Sequence, residues 1–399
     1  MIDFELTPEE EAEIQQAHKQ AEEVLRPLAR YYDEHEHESP WEFIQQQWRQ
    51  QRQGGGGMLG LGVGVALRIE ETCWGDAGLM LVAPGSGLGG AAILTSGTRE
   101  QQQRFLARFG EGEPKWGAMA MTEPGCGSDT AAIQTTAVLD GDEWVLNGEK
   151  IFITGGKRAF DESDGLIVVW ATVDKTAGRA GMKPFVVEAG TPGARIEKVE
   201  NKLGIRASDT ATLILDNCRT PYENILGSPE VRQVDSAQTA GFKRAMATFD
   251  ATRPIIAAMA LGVGRAALDF VKEKLREEGV QVRYNAPRHD LTAIERDVME
   301  MEAGYKAAHM LMLRAVWMMS QFQPNSLEAS MAKAKAGLVV TRITQKAVEI
   351  MGPLGYSRKY LLEKWMRDGK INDIFEGTGQ INMLIVARRV LDYTRNQLR

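Results

Sequence analysis

Residues 375–381 form the sequence Phe-Glu-Gly-Thr-Gly-Gln-Ile, which places the carboxylate of Glu376 just before a predicted helix. The helix is predicted over residues 380–391, where apolar residues recur at helical spacing. Thr378 is the predicted N-cap, since its hydroxyl can accept a hydrogen bond from a first-turn amide. Gly377 allows this turn to bring backbone and carboxylate close to a ligand. Taken alone, the segment is compatible with a proton-abstracting base and with an ordinary surface loop.

The chain as a whole divides into three regions with different sequence patterns. Helical patterns dominate the first region, short β-rich runs separated by turn residues occupy the second, and long apolar helices fill the third. We therefore predict an α+β multi-domain fold. It comprises an N-terminal helical domain (1–115), a middle all-β domain (116–227) and a C-terminal helical bundle domain (228–399).

Local signals predict individual elements. The sequence Thr-Pro-Glu-Glu at 7–10 combines an N-cap, a first-turn proline and a capping-box glutamate, and predicts a helix over 7–31. The pair Asn147-Gly148 predicts a type I′ hairpin turn. Pro254 is predicted either to open or to kink the long helix that follows it. Residues 365–374 are predicted to form a polar connecting segment.

Composition excludes several classes of function. The 399 residues carry a net charge of −7, which argues against a nucleic-acid partner. The three widely spaced cysteines, Cys73, Cys126 and Cys218, give neither a disulfide framework nor metal-ligand spacing and favour a reducing compartment. The first residues lack signal and transit features, so we expect a cytoplasmic protein.

Two low-complexity runs have simple interpretations. Residues 77–98 are uncharged and long enough to span a membrane, but their glycines and Pro84 favour a buried helix and turn, so no membrane association is predicted. The glycine run at 54–57 is predicted to be a flexible connector, because neither a preceding strand nor a following Gly-Lys pair marks it as a phosphate-binding loop.

Four stretches together resemble the flavin-dependent acyl-CoA dehydrogenase family over almost the whole chain. They are 120–129 (Ala-Met-Thr-Glu-Pro-Gly-Cys-Gly-Ser-Asp), 144–154 (ending Lys-Ile-Phe-Ile-Thr), 203–210 (Leu-Gly-Ile-Arg-Ala-Ser-Asp-Thr) and 375–380. Their order across a helix–strand–helix chain makes the resemblance specific. It implies FAD as the cofactor and an acyl-CoA thioester as the substrate.

The resemblance implies that Glu376 is the catalytic base. It would remove the α-proton of the thioester while hydride leaves the β-carbon for the flavin, giving a trans-2-enoyl-CoA. The Glu376 N–H and a flavin ribityl hydroxyl would stabilise the enolate oxygen. The sequence leaves open whether burial raises the pKa of Glu376 or the nearby helix start lowers it. Asp250 and Arg253 match substrate-contacting positions, with a helix-start ion pair as an equal alternative.

The resemblance also implies a set of cofactor-binding residues. A strand followed by a glycine-rich turn would hold the flavin ring, and the next strand would cover the other side of the ring. For Thr122 and Thr154 the alternative is that they are ordinary strand threonines. Ser128 would lie where the acyl-CoA arm approaches the flavin phosphates, and so counts as substrate-binding too. The residues are Met119, Met121, Thr122, Gly127, Ser128, Phe152, Ile153, Thr154, Gly352, Thr378 and Gln380.

Two of the predicted cofactor-binding residues, Gln281 and Glu349, depart from the family pattern at the FAD pyrophosphate. Gln281 stands where the family usually has an arginine that reaches the cofactor of a neighbouring subunit, and Arg283 could substitute for it. Glu349 adds a like charge where glutamine is more common. Either FAD binds less tightly in an otherwise ordinary homotetramer, or another subunit supplies the arginine in a mixed tetramer.

The leading interpretation is a dehydrogenase that passes electrons to an electron-transferring flavoprotein and assembles as a homotetramer, a dimer of dimers. An acyl-CoA oxidase, which uses oxygen, is the first alternative. A nitroalkane oxidase is disfavoured, because that interpretation resembles proteins that use aspartate, whereas this chain has Glu376. A non-catalytic, flavin-poor scaffold subunit of a mixed tetramer is the second, and it draws on Gln281 and Glu349. The length and branching of the acyl group are not predicted.

Overall fold

The computed structural model describes residues 4–54, 62–231, 240–394 and 397–398. Helices form the N-terminal and C-terminal parts of the chain, and the strands lie in the middle part, with one short α-helix, Gly156–Phe160, between two of them. Over these residues the helices are α1 (Pro8–Gln20), α2 (Arg26–Glu34), α3 (Trp41–Gly54), α4 (Val63–Gly75), α5 (Ala77–Met80), α6 (Gly87–Ser96), α7 (Arg99–Leu106), α8 (Gly156–Phe160), α9 (Ala240–Glu277), α10 (Ala293–Ser320), α11 (Ser326–Met351), α12 (Pro353–Tyr356), α13 (Leu362–Lys370) and α14 (Gly379–Val390). The strands are β1 (Gly117–Ala120), β2 (Thr136–Asp140), β3 (Glu143–Thr154), β4 (Leu166–Thr172), β5 (Met182–Glu188), β6 (Ala194–Val199) and β7 (Thr210–Pro221).

The first helix begins as predicted. Thr7 and Glu10 form a capping box, with the Glu10 N–H donating to the Thr7 hydroxyl at 3.2 Å and the Thr7 N–H donating to the Glu10 carboxylate at 2.9 Å. The helical path then passes through a π-helical segment, Ala21–Leu25, before α2. Beyond Gly54, the predicted glycine connector lies outside the described residues.

The middle of the chain forms one mixed sheet, as the texture of the sequence predicts. Its strand order is β1-β4-β2-β3-β7-β6, and β5 pairs with β4. β1 and β4 run parallel, while β2–β3, β3–β7, β4–β5 and β6–β7 are antiparallel. All seven residues of β4 and six of the seven residues of β5 are buried, which places the sheet between helices on both sides.

The predicted hairpin turn at Asn147-Gly148 is wrong. The turn that joins β2 and β3 lies at Gly141 and the residue after it, since Asp140 pairs with Glu143 and Gly141 has a φ of 67°. Asn147 and Gly148 lie inside β3, where the register with β7 shifts. A Cβ at Gly148 would approach Thr135 to 2.4 Å, so this glycine serves strand packing and not a turn.

The C-terminal helices build the larger core. α9, α10 and α11 pack against one another and against α4, so N-terminal and C-terminal helices share buried residues. Pro254 lies inside α9, which rules out the prediction that it opens the helix. By length and composition the helix Thr248–Glu277 could cross a membrane, but 78% of its apolar window is buried in the protein, as expected of a core helix among the described residues.

The segment predicted as a polar connection is also helical. α13 covers most of it, and Trp365 and Lys364 on this helix are buried. The polar residues misled the prediction because they pair inside the protein. Lys364 forms ion pairs with Asp76 and, at 2.6 Å, with Asp368.

This buried cluster connects all three regions of the chain. Asp76 comes from the N-terminal helices, Lys364 and Asp368 from α13, and the Ile205 N–H of the middle region donates to Asp368 at 2.6 Å. Neighbouring Gly204 packs so closely that a Cβ there would lie 2.5 Å from the backbone of Arg367. The stretch 203–210 is therefore a junction between regions.

Candidate active site

Glu376 lies on a tight turn between α13 and α14. Glu376 and Gly377 both have left-handed backbones, with φ of 56° and 86°. A left-handed conformation is uncommon for a residue with a side chain and indicates that the surroundings enforce it. Thr378 caps α14 as predicted, its hydroxyl accepting from the Ile381 N–H at 3.2 Å. The turn thus fixes the direction of the Glu376 side chain.

α9 supplies the group that contacts the Glu376 carboxylate directly. The Thr252 hydroxyl donates a hydrogen bond to Glu376 Oε2 at 2.7 Å. The sequence patterns single out Asp250 and Arg253 in this segment but not Thr252. No local signal marks a helical threonine as a partner of a residue so far along the chain.

The environment of Glu376 resolves the competition that the sequence leaves open. Burial raises the pKa of Glu376 above its usual value, although the Thr252 hydrogen bond and the charges of Arg253 and Lys333 oppose the rise. A carboxylate whose pKa is raised toward neutrality is a stronger base than an exposed glutamate. The arrangement can therefore accept a proton from a weakly acidic carbon.

Lys333 is a second residue that the sequence did not reveal. It lies on α11, is 1% exposed, and its ammonium donates to the Gly377 carbonyl. The side-chain amide of Asn382 donates to the same carbonyl at 2.9 Å and to the Thr378 carbonyl at 3.0 Å. Two donors from two helices therefore hold the turn that carries Glu376.

Asp250 and Arg253 form an ion pair at 2.7 Å. The pair lies inside α9 and not at its start, so the alternative of a helix-start pair is wrong as to position. Arg253 is 3% exposed and also faces Ser330 of α11 at 3.5 Å. Burial raises the pKa of Asp250, and the Arg253 charge opposes that rise. Arg253 lies close to the Glu376 turn, since a Cβ at Gly377 would be 3.9 Å from its Nη2 atom, while the contact of both residues with a substrate stays a prediction.

The predicted flavin turn follows β1 directly. Met119 is on β1, and Met121 is buried just beyond the strand. The Met121 carbonyl accepts from the Lys150 ammonium at 3.1 Å, and the Thr122 carbonyl accepts from the Ile151 N–H at 2.9 Å. With both carbonyls bound to β3, the conformation of the turn is set before a ligand arrives. Gly127 and Ser128 are exposed farther along the same turn.

A buried ion pair lies beneath this turn. Lys150 is fully buried and pairs with Glu123 at 2.7 Å. The Glu123 carboxylate also accepts from the Gln134 N–H at 2.6 Å and from the Thr135 N–H and hydroxyl at 3.0 and 2.5 Å. Although burial opposes ionisation, the Lys150 charge and these hydrogen bonds hold the pKa of Glu123 below its usual value. Glu123 in the family-like stretch is thus a structural anchor.

Phe152 combines an unusual backbone conformation with an exposed aromatic side chain. It lies at an irregularity between Lys150 and Ile153 in the pairing of β3 with β7, has a φ of 58°, and is 59% exposed. A bulky residue in this conformation costs about 1–3 kcal/mol. Stacking on a planar ring would cover the exposed aromatic face. Ile153 beside it is buried and Thr154 is partly buried, so the flavin-ring end fits the predicted cofactor.

The residues predicted at the FAD pyrophosphate lie elsewhere in the chain. Gln281 and Arg283 are exposed between α9 and α10, and Glu349 is exposed near the end of α11. Lys333 and Glu349 lie near opposite ends of α11, about 24 Å apart at about 1.5 Å per residue. One chain therefore does not bring Glu349 to Glu376. Gly352 ends α11 with a φ of 53°, and Gln380 is exposed at the start of α14.

Arg283 and Glu349 already have partners within the chain. The Arg283 guanidinium binds Glu295 through Nε at 2.7 Å and Nη2 at 2.8 Å, and the Asp290 carbonyl at 2.8 Å. Arg283 thereby holds the pKa of Glu295 far below its usual value. Glu349 pairs with Lys346 at 2.9 Å. To serve a pyrophosphate, Arg283 would have to leave Glu295.

Comparisons with known proteins agree with the fold. Three family models match the chain in order: the acyl-CoA dehydrogenase N-terminal domain over residues 7–113, the middle domain over residues 118–218 and the C-terminal domain over residues 239–391. The chain therefore belongs to the acyl-CoA dehydrogenase family. Members of this family are FAD-dependent oxidoreductases that act on CH–CH bonds, which confirms the class, cofactor and fold predicted from the four stretches.

Individual relatives cover nearly the whole chain. An acryloyl-CoA reductase (NADH) of Anaerotignum propionicum is 35% identical, over 98% of this chain and 96% of the relative. The structure of butyryl-CoA dehydrogenase from Megasphaera elsdenii is 32% identical and matches with a TM-score of 0.84, over 98% of this chain and 100% of the other. A structure from work on the electron transferring flavoprotein of Acidaminococcus fermentans is 33% identical and also matches with a TM-score of 0.84, over the same shares.

Proposed function

We propose that this protein catalyses the α,β-dehydrogenation of a short acyl-CoA thioester to a trans-2-enoyl-CoA, with Glu376 as the base. The hydrogen bond from Thr252 to a largely desolvated Glu376 on a left-handed turn is the observation that carries the proposal. Relatives named for butyryl-CoA and acryloyl-CoA support a short acyl group. A surface loop would need neither the enforced backbone nor the buried partners.

The chain's own residues account for the proton transfer. The Glu376 carboxylate takes the α-proton, and the Thr252 hydroxyl orients the carboxylate through its hydrogen bond to Oε2. The Glu376 N–H is proposed to stabilise the enolate oxygen that develops on the thioester. Bound FAD supplies the acceptor for the hydride that leaves the β-carbon. Met121, Thr122 and Phe152 are proposed to hold the flavin ring.

A bleaching screen tests this function. The purified protein is mixed with acyl-CoAs of increasing length, without an electron acceptor, and the loss of flavin absorbance is followed. We expect fast bleaching with butyryl-CoA and slower bleaching with long chains. Absence of bleaching with every acyl-CoA in a protein that contains FAD would contradict the proposal.

The electron acceptor is proposed to be an electron-transferring flavoprotein. The structure from the Acidaminococcus fermentans work supports this choice. An oxidase is the alternative, and rapid oxygen consumption with butyryl-CoA alone would favour it. The acryloyl-CoA reductase relative favours a second candidate, the reverse reduction of a short enoyl-CoA. Reoxidation of the reduced flavin by acryloyl-CoA measures that reaction directly.

The assembly is proposed to be a homotetramer in which each FAD pyrophosphate meets a neighbouring subunit. The separation of about 24 Å along α11 between Lys333, which contacts the Glu376 turn, and Glu349 supports a contribution from another chain. One FAD per chain in a tetramer formed by this protein alone is the expected result of mass measurement and cofactor analysis. Monomers or dimers without FAD would favour the mixed tetramer.

Two further predictions also stay proposals. They are the domain boundaries, 1–115, 116–227 and 228–399, and the cytoplasmic location.

A further inference from the structure

Lys333 carries its positive charge in a buried position. Its side chain is 1% exposed within the core side of α11, and its ammonium donates to the Gly377 carbonyl. Taking an ammonium out of water costs several kcal/mol unless partners compensate. A methionine would fill a similar volume without that cost. The charge and the hydrogen-bond donor of Lys333 therefore point to a role at the turn that carries Glu376.

The groups around Lys333 come from four elements. Asp373 precedes the turn, Glu376 is on it, Arg253 faces it from α9, and neutral Asn382 faces it from α14. Burial lowers the pKa of Lys333 to about 8, with Asp373 and Glu376 opposing the decrease and Arg253 adding to it. Lys333 is thus mostly protonated at neutral pH. Its positive charge then favours the ionised form of Glu376.

We propose that Lys333 is a positioning residue of the base: its ammonium anchors the Glu376–Gly377 turn through the Gly377 carbonyl, and its positive charge, placed beside that turn, favours the carboxylate form of Glu376. The proposal rests on the proposed role of Glu376 as the base. Lys333 thus has two functions, the anchoring of the turn and the supply of a positive charge. They can be tested separately, because Asn382 binds the same carbonyl but carries no charge.

The sign of the pH effect follows from these contacts. Glu376 must be ionised to accept a proton, so the bleaching rate falls as the pH drops below its pKa. Loss of the neighbouring cation raises that pKa further. In Lys333→Met the acid limb of the rate profile should therefore move to higher pH. The rate well above the limb should change less.

Two readouts test the proposal on the FAD-loaded protein. The first is the flavin bleaching rate with butyryl-CoA from about pH 5.5 to pH 9. The second is hydrogen exchange of the peptide that covers residues 374–382, which needs no turnover. Lys333→Met should shift the acid limb upward and speed exchange in the turn. Asn382→Ala should speed exchange with the limb unchanged.

A matched control separates local effects from loss of any lysine. Lys335 is on the same helix two residues later, and two residues correspond to roughly 200° of rotation, so its side chain points away. Lys335→Met should match wild type in both readouts. Lys333→Gln, which keeps a donor without the charge, replaces Lys333→Met if the latter does not fold, and it should shift the limb in the same direction.

The outcomes also distinguish this proposal from the proposed function. If Lys333→Met and Lys333→Gln give the same limb and exchange as Lys335→Met, Lys333 is not a positioning residue. If Glu376→Gln bleaches normally, Glu376 is not the base, and the charge-based half of this proposal falls with it. Faster exchange in Lys333→Met would in that case still support the anchoring of the turn.

Discussion

Thr252 Oγ1 and Glu376 Oε2 lie 2.7 Å apart and share a hydrogen bond, although 124 residues separate them in the chain. This contact links α9 to the turn before α14. It matters because the two effects on Glu376 oppose each other: burial favours the neutral acid, while the hydroxyl stabilises the carboxylate. The balance sets the pH at which the base becomes active.

Replacing the base itself gives the clearest prediction. Glu376→Gln keeps the size of the side chain and its hydrogen bond to Thr252 but cannot accept a proton. The variant should retain FAD and lose most acyl-CoA oxidation, by a factor of about 10²–10⁴. Flavin absorbance and the bleaching rate with butyryl-CoA measure both properties. Near-normal turnover in the variant would remove Glu376 from the mechanism.

Removing the Thr252 hydroxyl should change the pH dependence more than the maximal rate. In Thr252→Val the carboxylate loses a donor, so the pKa of Glu376 rises further and the acid limb moves to higher pH. A hydrogen bond to a charged group of about 1.5 kcal/mol corresponds to about one pH unit. Thr252→Ser keeps the hydroxyl and serves as the control. Equal limbs in the Val and Ser variants would show that this hydrogen bond does not tune the base.

The buried pair of Glu123 and Lys150 should be a large contributor to stability. Lys150→Met leaves the Glu123 carboxylate buried without its cation, which costs about 3–5 kcal/mol. Thermal unfolding of the FAD-loaded protein should show a lower midpoint, and FAD should dissociate more easily because the Met121 carbonyl loses its donor. Glu123→Gln combined with Lys150→Met should recover part of the loss.

The pH dependence of that variant has a definite sign. In the wild type the pKa of Glu123 is lowered, so its contribution to stability is complete above about pH 4.3, the usual value, and is lost as the pH falls below it. Without Lys150, protonated Glu123 is tolerated better than the ion. The difference in stability between variant and wild type should therefore shrink from pH 7 to pH 5. A constant difference would mean that Glu123 stays ionised in the folded variant at both pH values.

The sequence predicts the fold because helix starts and strand texture are local. The capping box of Thr7 and Glu10 and the N-cap Thr378 form as predicted, since each involves residues three positions apart. The hairpin prediction failed because a tertiary contact at Gly148 outweighed the local turn preference of the Asn-Gly pair. α13 was missed because its polar residues, such as Lys364, are buried in ion pairs.

The site divides in the same way. Glu376 could be predicted because its turn, the glycine beside it and the N-cap are contiguous and form one of the four stretches that resemble the family. Thr252 and Lys333 could not, because their roles depend on α9 and α11 meeting the turn in space. Gln281 and Arg283 mark the other limit: their proposed ligand would lie at another chain, beyond what a single sequence or a single protomer specifies.

Close packing at Gly204 predicts a steric effect at the junction of the three regions. In Gly204→Ala the new methyl group would lie 2.5 Å from the backbone of Arg367, which no flexible side chain can relieve. We expect a loss of about 1–3 kcal/mol, measured as a lower unfolding midpoint. Gly110→Ala is the control, because nothing lies within 4 Å of a Cβ there. Similar midpoints for both variants would show that the junction can shift to accept the methyl group.

Restoring a cation at position 281 should strengthen FAD binding if the pyrophosphate of a neighbouring subunit lies there. Arg283 is held by Glu295, so it offers little charge to a ligand, and Gln281 offers none. A charge-assisted hydrogen bond of about 1.5–3 kcal/mol corresponds to a FAD dissociation constant lower by about tenfold or more in Gln281→Arg. Titration of the apoprotein with FAD measures the constant, and Gln281→Met controls for the loss of glutamine. Because the contact would cross a subunit interface, the gain should disappear under dilution to the dissociated chain. An unchanged constant in the assembled protein would place the pyrophosphate away from position 281.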